Sequence, residues 1–216
     1  MHRRAGFEVP ETRYLDVDGG SVPVESVYSL WAEREPGRIR CNTDGSMELT
    51  ADTLREFGVA QLDWFGRFVV ALLTGNGDLH SENMSLMVRD GQVQLSPVYD
   101  PAPMRAYRGR DNHDLLSALP FSGIGGTTST GYRPYADSGD SPPPDLRAKL
   151  ITLGVYAGLG DGETGAEIDR LLAATAGYAE TVAAHLELAL PEGYQERAPD
   201  VGGFVATLDA VARACR

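Results

Sequence analysis

Asp78, His80 and Asn83 stand close together in a stretch whose neighbours are largely glycine and apolar residues, and Asp100 follows two short apolar runs further on. One known arrangement for phosphoryl transfer to a hydroxyl uses a carboxylate that accepts the hydroxyl proton and an amide oxygen five residues later that helps hold magnesium. It also uses a second carboxylate, beyond a hairpin, that ties the metal to the phosphates. Asp78, Asn83 and Asp100 meet these spacings. An all-oxygen ligand set is also what a hard cation such as magnesium takes. Composition alone would allow a plain turn, because Asp, Asn and Gly are turn residues; the combined spacings favour chemistry.

The elements that must position these residues are visible as patterns. Leu54, Phe57, Leu62, Phe65, Phe68, Val69 and Leu72 recur near helical spacing, which predicts one long helix capped by Asp52 and stopped at Gly75. Strands are predicted over 84–88 and 93–98 about an Asp90-Gly91 turn, a hairpin that returns Asp100 toward the loop. Upstream, 12–17 and 21–30 form Thr-, Tyr- and Val-rich runs around Asp18-Gly19-Gly20, predicting a β-hairpin, with 34–46 as a polar connector. Residues 120–144 are almost all Gly, Ser, Thr, Pro, Tyr and Asp and are expected to form a long mobile loop. Pro142-Pro143-Pro144 and a capping Asp145 then open a helical part striped by Leu146/Leu150/Leu153, Ile168/Leu171/Leu172, Val182/Leu186 and Phe204/Leu208/Val211. Trp31 and Trp64 read as core packing. The class is α+β, mainly helical, divided into 1–48 (hairpin and connector) and 49–216 (the main body).

Composition narrows the partners. The 216 residues carry 31 acidic and 19 basic side chains, a formal charge of -12, and Lys149 is the only lysine. A net negative surface repels phosphate backbones and anionic lipid, which argues against nucleic acid or a membrane as the principal partner. The longest apolar stretch, 68–73, is far too short to span a bilayer, and the basic start Met1–Gly6 leads into Glu8 and Pro10 rather than an apolar run. A cytoplasmic location is expected. Cys41 and Cys215 lie at opposite ends without companions, so they read as buried free thiols. Gly123–Thr128 lacks the Gly-Lys-Ser/Thr ending of a phosphate-binding loop.

The segment Asn76-Gly77-Asp78-Leu79-His80-Ser81-Glu82-Asn83-Met84-Ser85, with Ser96-Pro97-Val98-Tyr99-Asp100 after it, resembles the HipA-like serine/threonine kinases, a family of persistence-associated toxins. Ala5–Glu11 and the following hairpin look like that family's small-lobe helix end and strand pair, and Leu116–Leu119 is similar to its short apolar motif after the metal aspartate. The resemblance implies a protein-kinase-like large lobe with 1–48 as a remnant of the small lobe. It implies Asp78 as catalytic base, Asn83 and Asp100 as magnesium ligands, and His80, Asn83 and Asp100 on the Mg-ATP side of the site. His80 itself reads as a structural residue of the loop rather than a proton shuttle.

Two departures from the family qualify these expectations. Glu82 stands where the family usually has a basic residue, and the family's phosphate-cradling loop and lysine-bearing strand should precede residue 1, while Lys149 falls in a C-terminal helix. A protein partner that supplies the small lobe, an incomplete segment of a longer protein, or a lobe that has lost transfer are the three explanations. An antitoxin-like regulator is a further expected partner. The first function is therefore Mg-ATP-dependent transfer to a Ser or Thr of a protein. The alternatives are a non-catalytic pseudokinase or binding module, and a small-molecule phosphotransferase of the aminoglycoside-kinase type, whose catalytic loop Gly77-Asp78-Leu79-His80-x-x-Asn83 also resembles.

Overall fold

Between Trp64 and Leu73 every residue but Gly66 and Arg67 is apolar, so a helix built from this run has no face to give to water and must be surrounded. The computed structural model describes residues 5–6, 24–32, 45–76, 79–99, 101, 127–128, 131–132, 145–188 and 201–216. Among the described residues the α-helices are α1 (Val27–Ala32), α2 (Ser46–Glu56) and α3 (Gln61–Thr74), then α4 (Leu146–Tyr156), α5 (Asp161–Thr175), α6 (Tyr178–Leu188) and α7 (Val201–Ala214). In α3 every residue from Trp64 to Thr74 is buried, and α2, α4, α5 and α7 pack around it. Trp31 and Trp64 belong to that core, as expected.

The single helix predicted from Asp52 to Gly75 is in fact two. Gly58 takes φ 71°, and the amides of Gly58 and Val59 turn back onto the carbonyls of Arg55 and Leu54 at 3.0 and 2.9 Å. That left-handed closure ends α2, and only glycine adopts it without strain. Asp52 is consequently no cap. It lies inside α2, where its carboxylate accepts hydrogen bonds from Arg55 at 2.8 Å and from the Tyr156 hydroxyl at 2.9 Å. The predicted stop at Gly75 is correct, with φ 67° and the same pair of closing bonds onto Leu72 and Ala71.

Three antiparallel strands, β1 (Val24–Ser26), β2 (Ser85–Arg89) and β3 (Gln92–Leu95), form a sheet in that order. Asp90 at φ 52° and Gly91 at φ 75° make the tight β2–β3 turn, the two left-handed positions such a hairpin requires. Leu86 pairs with Leu95 and both are buried, whereas Val88 and its partner Val93 lie nearer solvent. Of the strand predicted over 21–30, Val24–Ser26 is extended, α1 replaces 27–30, and 21–23 lies outside the described residues. The Ser26 hydroxyl accepts the Ser29 amide at 3.1 Å and bonds the Ser29 hydroxyl, which starts a helix, and α1 then buries Val27 and Trp31. The 12–17 half of the predicted hairpin lies outside the described residues. Within 120–144, expected to lack regular structure, Thr127–Thr128 (β4) and Gly131–Tyr132 (β5) pair antiparallel, and the remainder lies outside the described residues.

Most of the C-terminal stripes pack as their periodicity predicts: Leu146, Leu150, Leu153, Ile168, Leu171, Phe204, Leu208 and Val211 are buried, Leu172 and Val182 are half-buried, and the Leu186 side chain lies outside the description. Asp145 occupies the position before α4 but makes no capping bond, because its carboxylate lies 3.7 Å from Lys149 Nζ. Arg147 fastens three elements by donating to Asp169 at 2.8 and 3.1 Å and to the Cys215 carbonyl at 2.7 Å. Arg170 holds Glu167 and the Ala5 carbonyl, tying an early residue to α5. Cys215 is a buried free thiol, and burial pushes its pKa up to about 12; Cys41 lies outside the described residues. No helix among the described residues is long and apolar enough to cross a membrane.

Candidate functional site

The left-handed Gly75 ends α3, and a buried Asn76 follows it. Gly77 and Asp78 lie outside the described residues, and the chain is next anchored by Leu79, 7% exposed. From there Ser81–Asn83 make one tight turn, closed by the Asn83 amide on the His80 carbonyl at 2.9 Å. Ser81, the first residue of that turn, is fully buried. His80 Nε2 and Asn83 Nδ2 approach to 3.5 Å, and His80 Nδ1 lies 3.8 Å from a Glu82 carboxylate oxygen. His80 is thus a side chain facing Asn83 and Glu82 from within the turn. Glu82, the acidic replacement, is half exposed.

Beyond the turn, β2 and the segment after β3 are tied together by polar bonds. The Ser96 amide donates to the Ser85 carbonyl at 2.8 Å. The Tyr99 hydroxyl donates to the Glu82 carbonyl at 3.1 Å and meets the Ser85 hydroxyl at 2.9 Å. A third tie comes from α3, where Arg67, 7% exposed, donates through Nη1 to the Ser96 carbonyl at 2.6 Å while Nε and Nη2 hold Asp63 at 3.3 and 3.0 Å. A buried guanidinium with its donors on a carboxylate and a carbonyl is a rigid fixture, because releasing it would leave a charge without partners.

Of the four predicted site residues, the structure brings His80 and Asn83 together, and it fastens the residue before Asp100 to residues flanking Asn83. Asp78 and Asp100 themselves lie outside the described residues. Sequence reasoning missed Arg67. Its signal is a lone charge inside an apolar run, four residues after Asp63, the spacing of a helical ion pair. The hydroxyl roles of Ser85 and Tyr99 were hidden, since both bonds join positions far apart in the chain.

The residues present suit a hard cation better than a soft one. The approach to His80 engages the nitrogen end of the Asn83 amide, and its oxygen end has the chemistry for magnesium. Among the described residues no cluster of three His, Cys, Asp or Glu side chains could hold a metal by itself, so the two aspartates would have to complete such a set. A groove of about 280 Å³ lies elsewhere on the sheet, lined by residues such as Leu30, Phe57, Leu86, Val88 and Val93 with Glu25. Its aliphatic and aromatic walls offer little to a phosphate, so the polar turn is the better candidate.

Comparison with known proteins bears on the fold and the family. The chain is similar in structure to a chain of the Shewanella oneidensis MR-1 toxin–antitoxin complex of HipA, HipB and operator DNA, with a TM-score of 0.54 at 15% identity over 99% of this chain. It spans about half, 52%, of that solved chain. Comparison with curated proteins returned no match. A family model described as the HipA-like C-terminal domain matches residues 1–151, which include the whole of the loop, the hairpin and the Ser-Pro-Val-Tyr-Asp segment. On that match the chain belongs to the HipA-like C-terminal domain family.

Proposed function

We propose that this chain is the large lobe of a HipA-like kinase, which carries out Mg-ATP-dependent phosphoryl transfer to a hydroxyl, a Ser or Thr of a protein, with the ATP-binding small lobe supplied by a protein partner or by further residues of a longer chain. The observation that carries this reading is the Tyr99 hydroxyl, which fastens the residue next to Asp100 to Glu82 and Ser85 about Asn83. Such a tie suits a site whose ligands come from two separate segments and must act as one. In this reading Asp78 accepts the proton of the attacking hydroxyl, and Asn83 and Asp100 hold the cation. His80 orients the Asn83 amide. Magnesium, when bound, neutralises charge on the phosphate oxygens.

A second reading, a non-catalytic binding module, is favoured by one observation. Lys149, the only lysine, sits on α4 with Asp145 at 3.7 Å, and α4 packs mainly on α5 and α3. The small lobe in the first reading would contribute the cation that Lys149 does not. Radiolabel transfer from ATP separates the two, measured for the chain alone and with the products of neighbouring genes. Transfer that falls about 10²–10⁴-fold in Asp78→Ala, with comparable loss in Asp100→Asn, supports the kinase. ATP binding without transfer under any pairing supports the module, and transfer indifferent to both substitutions removes the assigned site.

A further inference from the structure

We infer that Tyr99 is a positioning residue for the cation, acting through its hydroxyl to hold the Asn83 turn in register with the segment leading to Asp100; this rests on the kinase reading above. Four bonds converge on the segment 96–99. The Ser96 amide is held by the Ser85 carbonyl at 2.8 Å and the Ser96 carbonyl by Arg67 at 2.6 Å. At the other end the Tyr99 hydroxyl meets the Ser85 hydroxyl at 2.9 Å and the Glu82 carbonyl at 3.1 Å. Ser85 therefore serves both ends, once through its backbone and once through its side chain. The first pair fixes where the segment leaves the sheet. Of the four, the Tyr99–Glu82 bond reaches the turn that carries Asn83, and it shares its one oxygen atom with the bond to Ser85.

The hydrogen-bond chemistry is directional. A phenol has one proton, and the Glu82 carbonyl can only accept, so Tyr99 donates there and accepts from Ser85. The Glu82 carbonyl belongs to the peptide bond that joins Glu82 to Asn83, so its direction sets the peptide plane from which Asn83 departs. Partners that orient a metal ligand without touching the metal typically cost about 10–100-fold in metal affinity when removed.

Manganese substitutes for magnesium at oxygen sites and is read directly by electron paramagnetic resonance. The experiment titrates the full chain with Mn²⁺, with and without ATP, for the unsubstituted protein, Tyr99→Phe, Ser85→Ala, the double variant and Asn83→Ala, with thermal midpoints recorded in parallel. Tyr99→Phe keeps the ring and loses the hydroxyl. The expected result is an affinity loss of about tenfold in Tyr99→Phe with its thermal midpoint unchanged. Ser85→Ala should lose less, the double variant no more than Tyr99→Phe alone, and Asn83→Ala at least as much. Unchanged Mn²⁺ affinity in Tyr99→Phe, or a loss matched by a lowered midpoint, overturns the inference and leaves the kinase reading in place. Absence of Mn²⁺ binding by the unsubstituted chain, with or without ATP, overturns both.

Discussion

Two regions of this molecule are held together by different means. The helical body around α3 is secured by burial: Trp64, Phe65, Phe68, Val69 and Leu72 are shut away from water on all sides, and Ile168, Leu171 and Val211 close over them. The segment from Leu79 to Tyr99 also lends Leu79, Met84, Leu86, Leu95 and Val98 to that core, but its polar side is set by hydrogen bonds between residues distant in sequence, such as Arg67 to Ser96 and Tyr99 to Glu82. Burial is non-directional and tolerant, and it makes a stable scaffold from any well-shaped set of apolar residues. Hydrogen bonds are directional and set angles, which is what metal ligands and a proton acceptor need. The division predicts that variants of the body will change stability and leave cation binding alone, while variants of the site will do the reverse.

The largest effect belongs to the centre of the body. Phe68 is fully buried on α3 beside Trp64, at a ring separation of 6.5 Å. Phe68→Ala removes a buried aromatic ring and leaves a cavity, so a loss of about 3–5 kcal/mol is expected in urea unfolding. Wherever that variant is folded, its Mn²⁺ affinity should equal that of the unsubstituted chain. A folded Phe68→Ala protein with weakened cation binding would show that the two regions are not separable.

The next effect depends on pH. The Cys215 thiol is held at about 12 chiefly by burial, against an ordinary value near 9.0, although the charge of Arg147 pulls it down. Above pH 9 the unfolded chain releases this proton and the folded chain keeps it. The unfolded state then binds fewer protons, so stability is fully present below pH 9 and falls as pH rises toward 12. By pH 10.5 the loss attributable to Cys215 is about 2 kcal/mol, at roughly 1.4 kcal/mol per pH unit. Tyr178, also raised by burial, acts in the same direction. The readout is therefore the difference in slope between the unsubstituted chain and Cys215→Ala from pH 8 to 10.5. Parallel slopes would show that the thiol is not shielded as the packing of α7 implies.

A third effect tests how closely the body is packed. A Cβ added at Gly154 would lie 2.4 Å from Thr164 Cγ2 and 2.6 Å from Thr164 Oγ1, where α4 meets α5. Gly154→Ala should therefore cost about 1–3 kcal/mol through overpacking, even though alanine is the better helix former. Thr164→Ala in the same chain should return part of the loss. Stabilisation by Gly154→Ala alone would mean that α4 and α5 yield more easily than their close approach implies.

How much of this could be read from the sequence follows the same division. The C-terminal stripes, the Asp90-Gly91 turn and the stop at Gly75 are local patterns, and each is found where its periodicity or turn chemistry puts it. The break at Gly58 was also local, but the apolar spacing continues across it and conceals it; Phe57, counted in the stripe, is exposed and lines the groove instead. Val27–Ala32 carries strand-forming residues, yet the serine bonds at Ser26 and the burial of Trp31 make it a helix, a case of tertiary packing overriding propensity. The motif residues His80, Asn83 and Tyr99 were visible by type and spacing. The bonds from Arg67 and Tyr99 were not, because hydrogen bonds across 29 and 17 positions leave no periodic trace.

The smallest effect is expected where a polar cluster sits on the body rather than at the site. Tyr156 donates its hydroxyl to Asp52 at 2.9 Å, linking α4 to α2, and burial with that bond raises its pKa. Arg55 lies beside the pair, donating to Asp52 at 2.8 Å and to the Tyr156 carbonyl at 2.6 Å, with its guanidinium 6.0 Å from the Tyr156 ring. The cluster is bonded as densely as the site, so a count of hydrogen bonds would make it equally important. It differs in exposure, since Tyr156 is 43% exposed and water can replace each lost contact. Tyr156→Phe should cost about 0.5 kcal/mol, because Arg55 still bridges the helices and an exposed hydroxyl exchanges one acceptor for another. Urea midpoints for Tyr156→Phe, Arg55→Ala and the double variant measure this. A loss above about 2 kcal/mol in Tyr156→Phe would mean that polar contacts secure the body as well, and the contrast with the buried ties at Arg67 and Ser85 would fail.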